Sequence, residues 1–104
     1  MILEEKFVLH IPLYRHVDGN LESLEIDMLL DGLIERLDCE SFYISRVVSY
    51  YKSRSYDEML ITIFADDDEV GEVFKRWFRL NNHILGQESF SYEHNDRMII
   101  EKLR

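Results

Sequence analysis

The sequence predicts an α+β fold in which an antiparallel sheet carries two helices on one face. Three observations lead there. Phe7, Leu9, Ile11 and Leu13, and later Met59, Ile61 and Ile63, recur with the period of two that a strand requires. Ile26, Leu29, Leu30, Leu33, Ile34 and Leu37 recur at helical spacing, as do Val70, Val73, Phe74, Trp77, Phe78, Ile84 and Leu85. Strand-like and helix-like stretches also alternate along the chain as β-α-β-β-α-β.

The first strand spans Phe7 to Tyr14. Pro12 cannot donate to a ladder, so it is expected at the strand's end or at a bulge. Val17-Asp18-Gly19-Asn20 is turn chemistry. Asn20 is then expected to cap a helix from Leu21 to about Asp38. Gly32 weakens that helix by up to about 1 kcal/mol relative to alanine and is expected to allow a close approach.

A second strand runs from about Phe42 to Tyr51. Lys52-Ser53-Arg54-Ser55 is short and polar enough to be a hairpin connection into the third strand, MLITIFA. That strand stops at Asp66-Asp67-Asp68-Glu69. Asp66 is expected to cap the second helix, with Glu69 three residues on as in a capping box. A calcium loop is the competing reading, but Asp66, Asp68 and Val70 do not continue its ligand pattern. Lys75, Arg76 and Arg79 suit the later half of the helix dipole, and Gly86 suits its end. Glu88 to His94 reads as a fourth strand with Phe90 and Tyr92 inward. Asn95-Asp96 is a turn, and Met98 to Leu103 is a short extra C-terminal strand.

This order, with two β-α-β units of right-handed crossover, is that of a ferredoxin-like sandwich filling residues 1–104 as one domain. Two helices cover only one face of such a sheet. Val8, His10, Tyr14, Tyr43, Val47, Tyr51, Leu60 and Phe64 are assigned to the other. A face that apolar suggests a homodimer formed through the sheet; the alternative is that the C-terminal segment folds over it.

Asp18-Gly19 and Gly86-Gln87-Glu88-Ser89-Phe90 resemble an uncharacterised family of small bacterial ferredoxin-like domains. There, a D-G turn follows the first strand and a Q-E-S segment opens the last. The resemblance implies the same fold and carries no assigned activity. The tryptophan-bearing second strand of that family is missing, since this chain reads VVSYYKSRSYDEM.

The net charge is −9. Nucleic-acid affinity rests on Lys and Arg neutralising phosphates, so direct nucleic-acid binding is not expected. Seven acids and one base lie between Asn20 and Glu40, and seven acids and no base between Asp57 and Glu72. A basic protein partner would suit such segments. Cys39 is the only cysteine, which excludes an internal disulfide and a cysteine-based metal site. No apolar run approaches a membrane span, and MILEEKF has no signal-peptide character, so a cytoplasmic protein is expected.

No GxGxxG, P-loop, GxSxG or HExxH pattern occurs. Histidine is the usual general base near neutral pH, and His10 could share the open face with Tyr14 and an acid such as Glu93. His83 is expected to support the second helix's C-terminus and His94 to be solvated in a polar turn. Acids beside Cys39 disfavour a thiolate. With no specific motif, the leading expectation is a non-enzymatic interaction module without a cofactor, dimeric through His10, Tyr14, Tyr43, Val47, Tyr51 and Phe64. One alternative is a phage or mobile-element inhibitor of anti-CRISPR or anti-restriction type. It would present Glu22, Glu25, Asp31, Glu35, Asp66, Asp67 and Asp68 to a basic groove. Another is a small-molecule-binding or enzymatic domain using the sheet face.

Overall fold

A computed structural model of the chain describes residues 2–39 and 41–103, without the side chain of Tyr51. The elements are β1 (Glu5–Pro12), β2 (Tyr14–Val17), β3 (Asn20–Ser23), α1 (Asp27–Leu37), β4 (Phe42–Tyr51), β5 (Arg54–Ala65), α2 (Glu69–Leu85), β6 (Ser89–His94) and β7 (Arg97–Lys102). Five strands form an antiparallel sheet in the order β4-β5-β1-β6-β7, and β2 and β3 form a separate hairpin. Pro12 ends central β1, where its missing N–H costs the ladder least. The C-terminal strand extends the sheet past β6 and does not fold over its open face.

One face of the sheet and both helices make the core. Phe7, Leu9 and Ile11 of β1, Met59, Ile61 and Ile63 of β5, and Phe90 and Tyr92 of β6 meet Leu30 and Leu33 of α1 and the stripe of α2. Phe74 lies at the centre, with the rings of Trp77, Phe78, Phe90 and Tyr92 each within 6 Å. Burying one such phenylalanine contributes roughly 1.5–3 kcal/mol. The Trp77 indole N–H donates to the Leu29 carbonyl at 2.9 Å, fastening α2 to α1. Ile84, expected in the buried stripe, is exposed.

The largest departure from expectation lies between β1 and α1. Asn20 caps no helix; it opens β3, and α1 begins at Asp27 after an N-cap at Ile26. Asp18 and Gly19 have φ of 50° and 80°. Two central residues in the left-handed region match the twist of a two-residue hairpin turn, and Asp-Gly is a favoured pair for it. The turn signal was present, but it joins strands.

The second helix departs less. Its N-cap is Asp68 rather than Asp66, and there is no capping box. Asp67 instead accepts from the Glu69 amide at 3.0 Å. Gly86 ends the helix in the left-handed region, φ 62°, as expected. Gly32 allows no close approach, because a Cβ there would meet nothing within 4 Å. Gly71 holds that role, because a Cβ there would lie 3.0 Å from the Tyr92 hydroxyl.

β4 and β5 outrun the rest of the sheet. β1 pairs with β5 only from Glu58 onward, so Arg54–Asp57 and their β4 partners form a two-stranded ribbon. Lys52 and Ser53, with φ of 49° and 64°, turn it. Val48 and Tyr50 are exposed there although they continue the core-facing side of β4.

Candidate functional site

A half-open cleft of about 480 Å³ lies beside the start of α1. Its lining comes from four places: Leu13 and Tyr14 after β1, the Ser23–Ile26 connection, Asp27 and Met28 of α1, and the register partners Arg46 and Met59 of β4 and β5. The cleft exists because α1 starts late. The connection is held by the Leu24 amide donating to the Leu13 carbonyl at 2.9 Å.

The hairpin that carries Tyr14 is anchored to the far end of α2. Arg15 donates to the Ile84 carbonyl at 2.9 Å and pairs with Glu22 at 2.7 Å. Gln87 donates to the Tyr14 carbonyl at 3.1 Å. Leu13, Leu24, Ile26 and Met59 give the cleft an apolar floor, while Glu25, Asp27 and Arg46 give it charge. Among the described residues these three make no side-chain hydrogen bond or ion pair. Their charges are therefore available to a ligand.

A second cluster sits on the uncovered sheet face. His10 on β1 has Nδ1 3.1 Å from Glu58 on β5 and Nε2 2.9 Å from Glu93 on β6. Only the imidazolium can donate to both carboxylates. Burial is the largest single influence and pushes the His10 pKa down. Hydrogen bonds and attraction from Glu58 and Glu93 together outweigh it and leave the pKa raised. Beside the ring, β1 and β6 diverge after the Leu9–Tyr92 pair, and a space of about 50 Å³ opens, enough for water.

Of the residues assigned to the open face, Val8, His10, Tyr43, Val47, Leu60 and Phe64 lie there by register. Tyr14 does not, because the hairpin carries it to the cleft. The Tyr51 side chain lies outside the described residues. The face is also less apolar than expected, since Glu58 and Glu93 flank His10 and Ser89 and Ser91 continue β6. Glu93 was anticipated beside His10; Glu58 and Arg46 were missed. Glu58 was legible only by extending the alternation of Leu60, Thr62 and Phe64 back past Met59.

The acids assigned to a basic partner are distributed over several elements. Glu22 pairs with Arg15, Glu25 lines the cleft, Asp31 and Glu35 are exposed on α1, and Asp66, Asp67 and Asp68 form the loop before α2. His94 is not solvated as expected: it stacks on Phe7 at 4.2 Å and meets Glu5 at 2.7 Å. Burial first, then Asp38 and Asp67, pushes the Cys39 thiol pKa up, which disfavours a nucleophile. Glu40, its other acidic neighbour, lies outside the described residues. No set of metal-ligating side chains converges among the described residues.

These features define an α+β domain with a ligand-sized cleft at one end of its sheet. No protein-family model matches the chain, and no curated protein matches it by sequence. Solved structures do share its fold. A phage SAM lyase in its apo state aligns with TM-score 0.58 at 13% identity, covering 94% of this chain and 88% of that one. A phage SAM lyase in complex with S-methyl-5′-thioadenosine aligns with TM-score 0.51 at 14% identity, covering 94% and 87%. This overturns the expectation of a non-enzymatic interaction module: nearly the whole chain is laid out as in an enzyme with a small-molecule ligand.

Proposed function

We propose that this chain is an enzyme acting on S-adenosylmethionine or a closely related sulfonium nucleoside, and that the Tyr14–Arg46 cleft holds the ligand. The observation that carries the reading is the likeness, over 94% of the chain, to a phage SAM lyase. The cleft's size supports it, since 480 Å³ falls within the roughly 300–1,000 Å³ usual for small-molecule sites. Its lining supports it as well: a tyrosine and apolar side chains for a nucleoside, and carboxylates for a cation.

The chemistry asks little of the protein. As the bond between sulfur and the amino-acid side chain breaks, the bonding pair stays on sulfur, and the carbon it leaves gains a bond to an oxygen of the substrate's own carboxylate, closing a five-membered lactone. The sulfonium becomes the neutral thioether S-methyl-5′-thioadenosine, a leaving group that needs no proton. Positive charge on sulfur falls on the way to the transition state, so an apolar setting favours cleavage over the bound ground state.

We also read the sheet as a ferredoxin-like sandwich extended by β7 and by the β2–β3 hairpin. What supports this is the succession β4-β5-β1-β6 with a helix between β1 and β4 and another between β5 and β6.

Incubating the purified chain with S-adenosylmethionine and following products by mass spectrometry tests the enzymatic reading. S-methyl-5′-thioadenosine should accumulate above the protein-free blank. S-adenosylhomocysteine, whose sulfur is neutral, should stay intact. No product above the blank and no heat of S-adenosylmethionine binding by calorimetry would overturn the proposal.

A further inference from the structure

Two acids and one base line the cleft, Glu25, Asp27 and Arg46, and none of the three is satisfied within the described protein. Their formal sum is one negative charge. S-adenosylmethionine at neutral pH carries a sulfonium, an ammonium and a carboxylate, a sum of one positive charge. S-methyl-5′-thioadenosine carries none. The lining therefore complements the substrate's charges and does not distinguish the product from water by charge.

The position of each charge is constrained by the chemistry. A carboxylate held against the sulfonium would stabilise the ground state more than the transition state and slow cleavage. The acids serve the reaction better at the ammonium, which keeps its charge throughout. Arg46 stands beside Met59 on the sheet and offers a planar fork suited to a carboxylate. Leu13, Met59 and Tyr14 remain as the neutral surroundings for sulfur and nucleoside.

We infer that the cleft selects its ligand by the α-amino-acid end, with Arg46 binding the carboxylate and Glu25 and Asp27 the ammonium. The ligand class is thus a zwitterionic α-amino acid joined to an adenosyl sulfonium, and the neutral product is held weakly. This inference rests on the function proposed above and adds the specificity-determining residues.

The experiment is calorimetric titration of the wild-type chain, Arg46→Gln and the pair Glu25→Gln with Asp27→Asn. The ligands are S-adenosylmethionine, its decarboxylated analogue and S-methyl-5′-thioadenosine. Wild type should bind S-adenosylmethionine about tenfold or more tightly than the decarboxylated analogue, the discrimination expected where a charged group is left unpaired. Arg46→Gln should remove that difference and leave S-methyl-5′-thioadenosine unchanged. The double acidic variant should weaken both cationic ligands and spare the neutral one. Thermal unfolding checks that the variants fold; all three positions are exposed. Equal wild-type affinity for all three ligands would overturn this inference and leave the proposed function standing. So would Arg46→Gln weakening the neutral ligand as much as the substrate. No wild-type binding to any of them would overturn both.

Discussion

The imidazole of His10 and the carboxylate of Glu93 stand 2.9 Å apart across neighbouring strands, on the sheet face that no helix covers. Glu58 holds the other ring nitrogen, so a protonated His10 ties β5, β1 and β6 together. Its pKa is raised above 6.5 in the folded chain, because Glu58 and Glu93 outweigh the opposing effect of burial. The folded state then binds the proton more tightly than the unfolded state. The stabilisation is complete below the unfolded pKa and is lost as pH rises through the folded one. Urea unfolding across pH 5 to 9 should show this loss on the alkaline side, and His10→Gln should lack it. A His10→Gln profile parallel to wild type would remove the cluster from the account.

Glu5 titrates with the opposite sign. Hydrogen bonds from His94 and Asn95 hold its carboxyl below the ordinary value. That contribution is present above the unfolded pKa and is lost as pH falls through the folded one. Glu5→Gln should therefore reduce the loss of stability on acidification, read from the same series of unfolding curves extended to pH 3.

The two helical glycines should respond in opposite directions. Nothing lies within 4 Å of a Cβ at Gly32, so Gly32→Ala should stabilise by up to about 1 kcal/mol through helix propensity alone. At Gly71 the new methyl would stand 3.0 Å from the hydroxyl and 3.2 Å from the ring of Tyr92, which is buried. Overpacking of this kind costs about 1–3 kcal/mol and exceeds the propensity gain. Differential scanning calorimetry of the two variants should give melting shifts of opposite sign.

The hairpin that presents Tyr14 depends on its turn. Gly19 has φ 80° and no neighbour within 4 Å of a Cβ, so its constraint is backbone conformation and not space. Gly19→Val should cost about 1–2 kcal/mol of local stability. Faster amide exchange should appear in β2 and β3 before it appears in the five-stranded sheet, and ligand affinity should fall with it.

What was legible in the sequence follows from burial. β1, β5, α2 and β6 send large apolar residues to one core, and periodicity revealed them. β2 and β3 bury almost nothing: of their eight residues only Arg15 is not exposed, so no hydrophobic pattern marks Tyr-Arg-His-Val or Asn-Leu-Glu-Ser as strands. Asp18-Gly19 was the sole signal, and it serves equally as the approach to a helix. That error concealed the cleft. A helix from Leu21 leaves no connection there to bring Glu25 beside Arg46, distant in sequence, in one lining. The His10 cluster was half legible, because Glu93 follows from the alternation of β6. Glu58 requires the length of β5, which polar residues at its start disguise.

The sheet's two margins are unlike. β7 carries Arg97, Glu101 and Lys102 along six residues, whereas β4 carries only Arg46 along ten and ends in an unsupported ribbon. The outer backbone row of β4 is a template for strand addition with little charge to repel a newcomer. Colloidal behaviour at high concentration will therefore be decided at β4. Val48→Lys, at an exposed ribbon position, should slow the growth of light scattering in concentrated samples and leave the melting temperature nearly unchanged. The same substitution on a chain that clumps by unfolding would change nothing, so this variant separates sheet-edge association from loss of the fold.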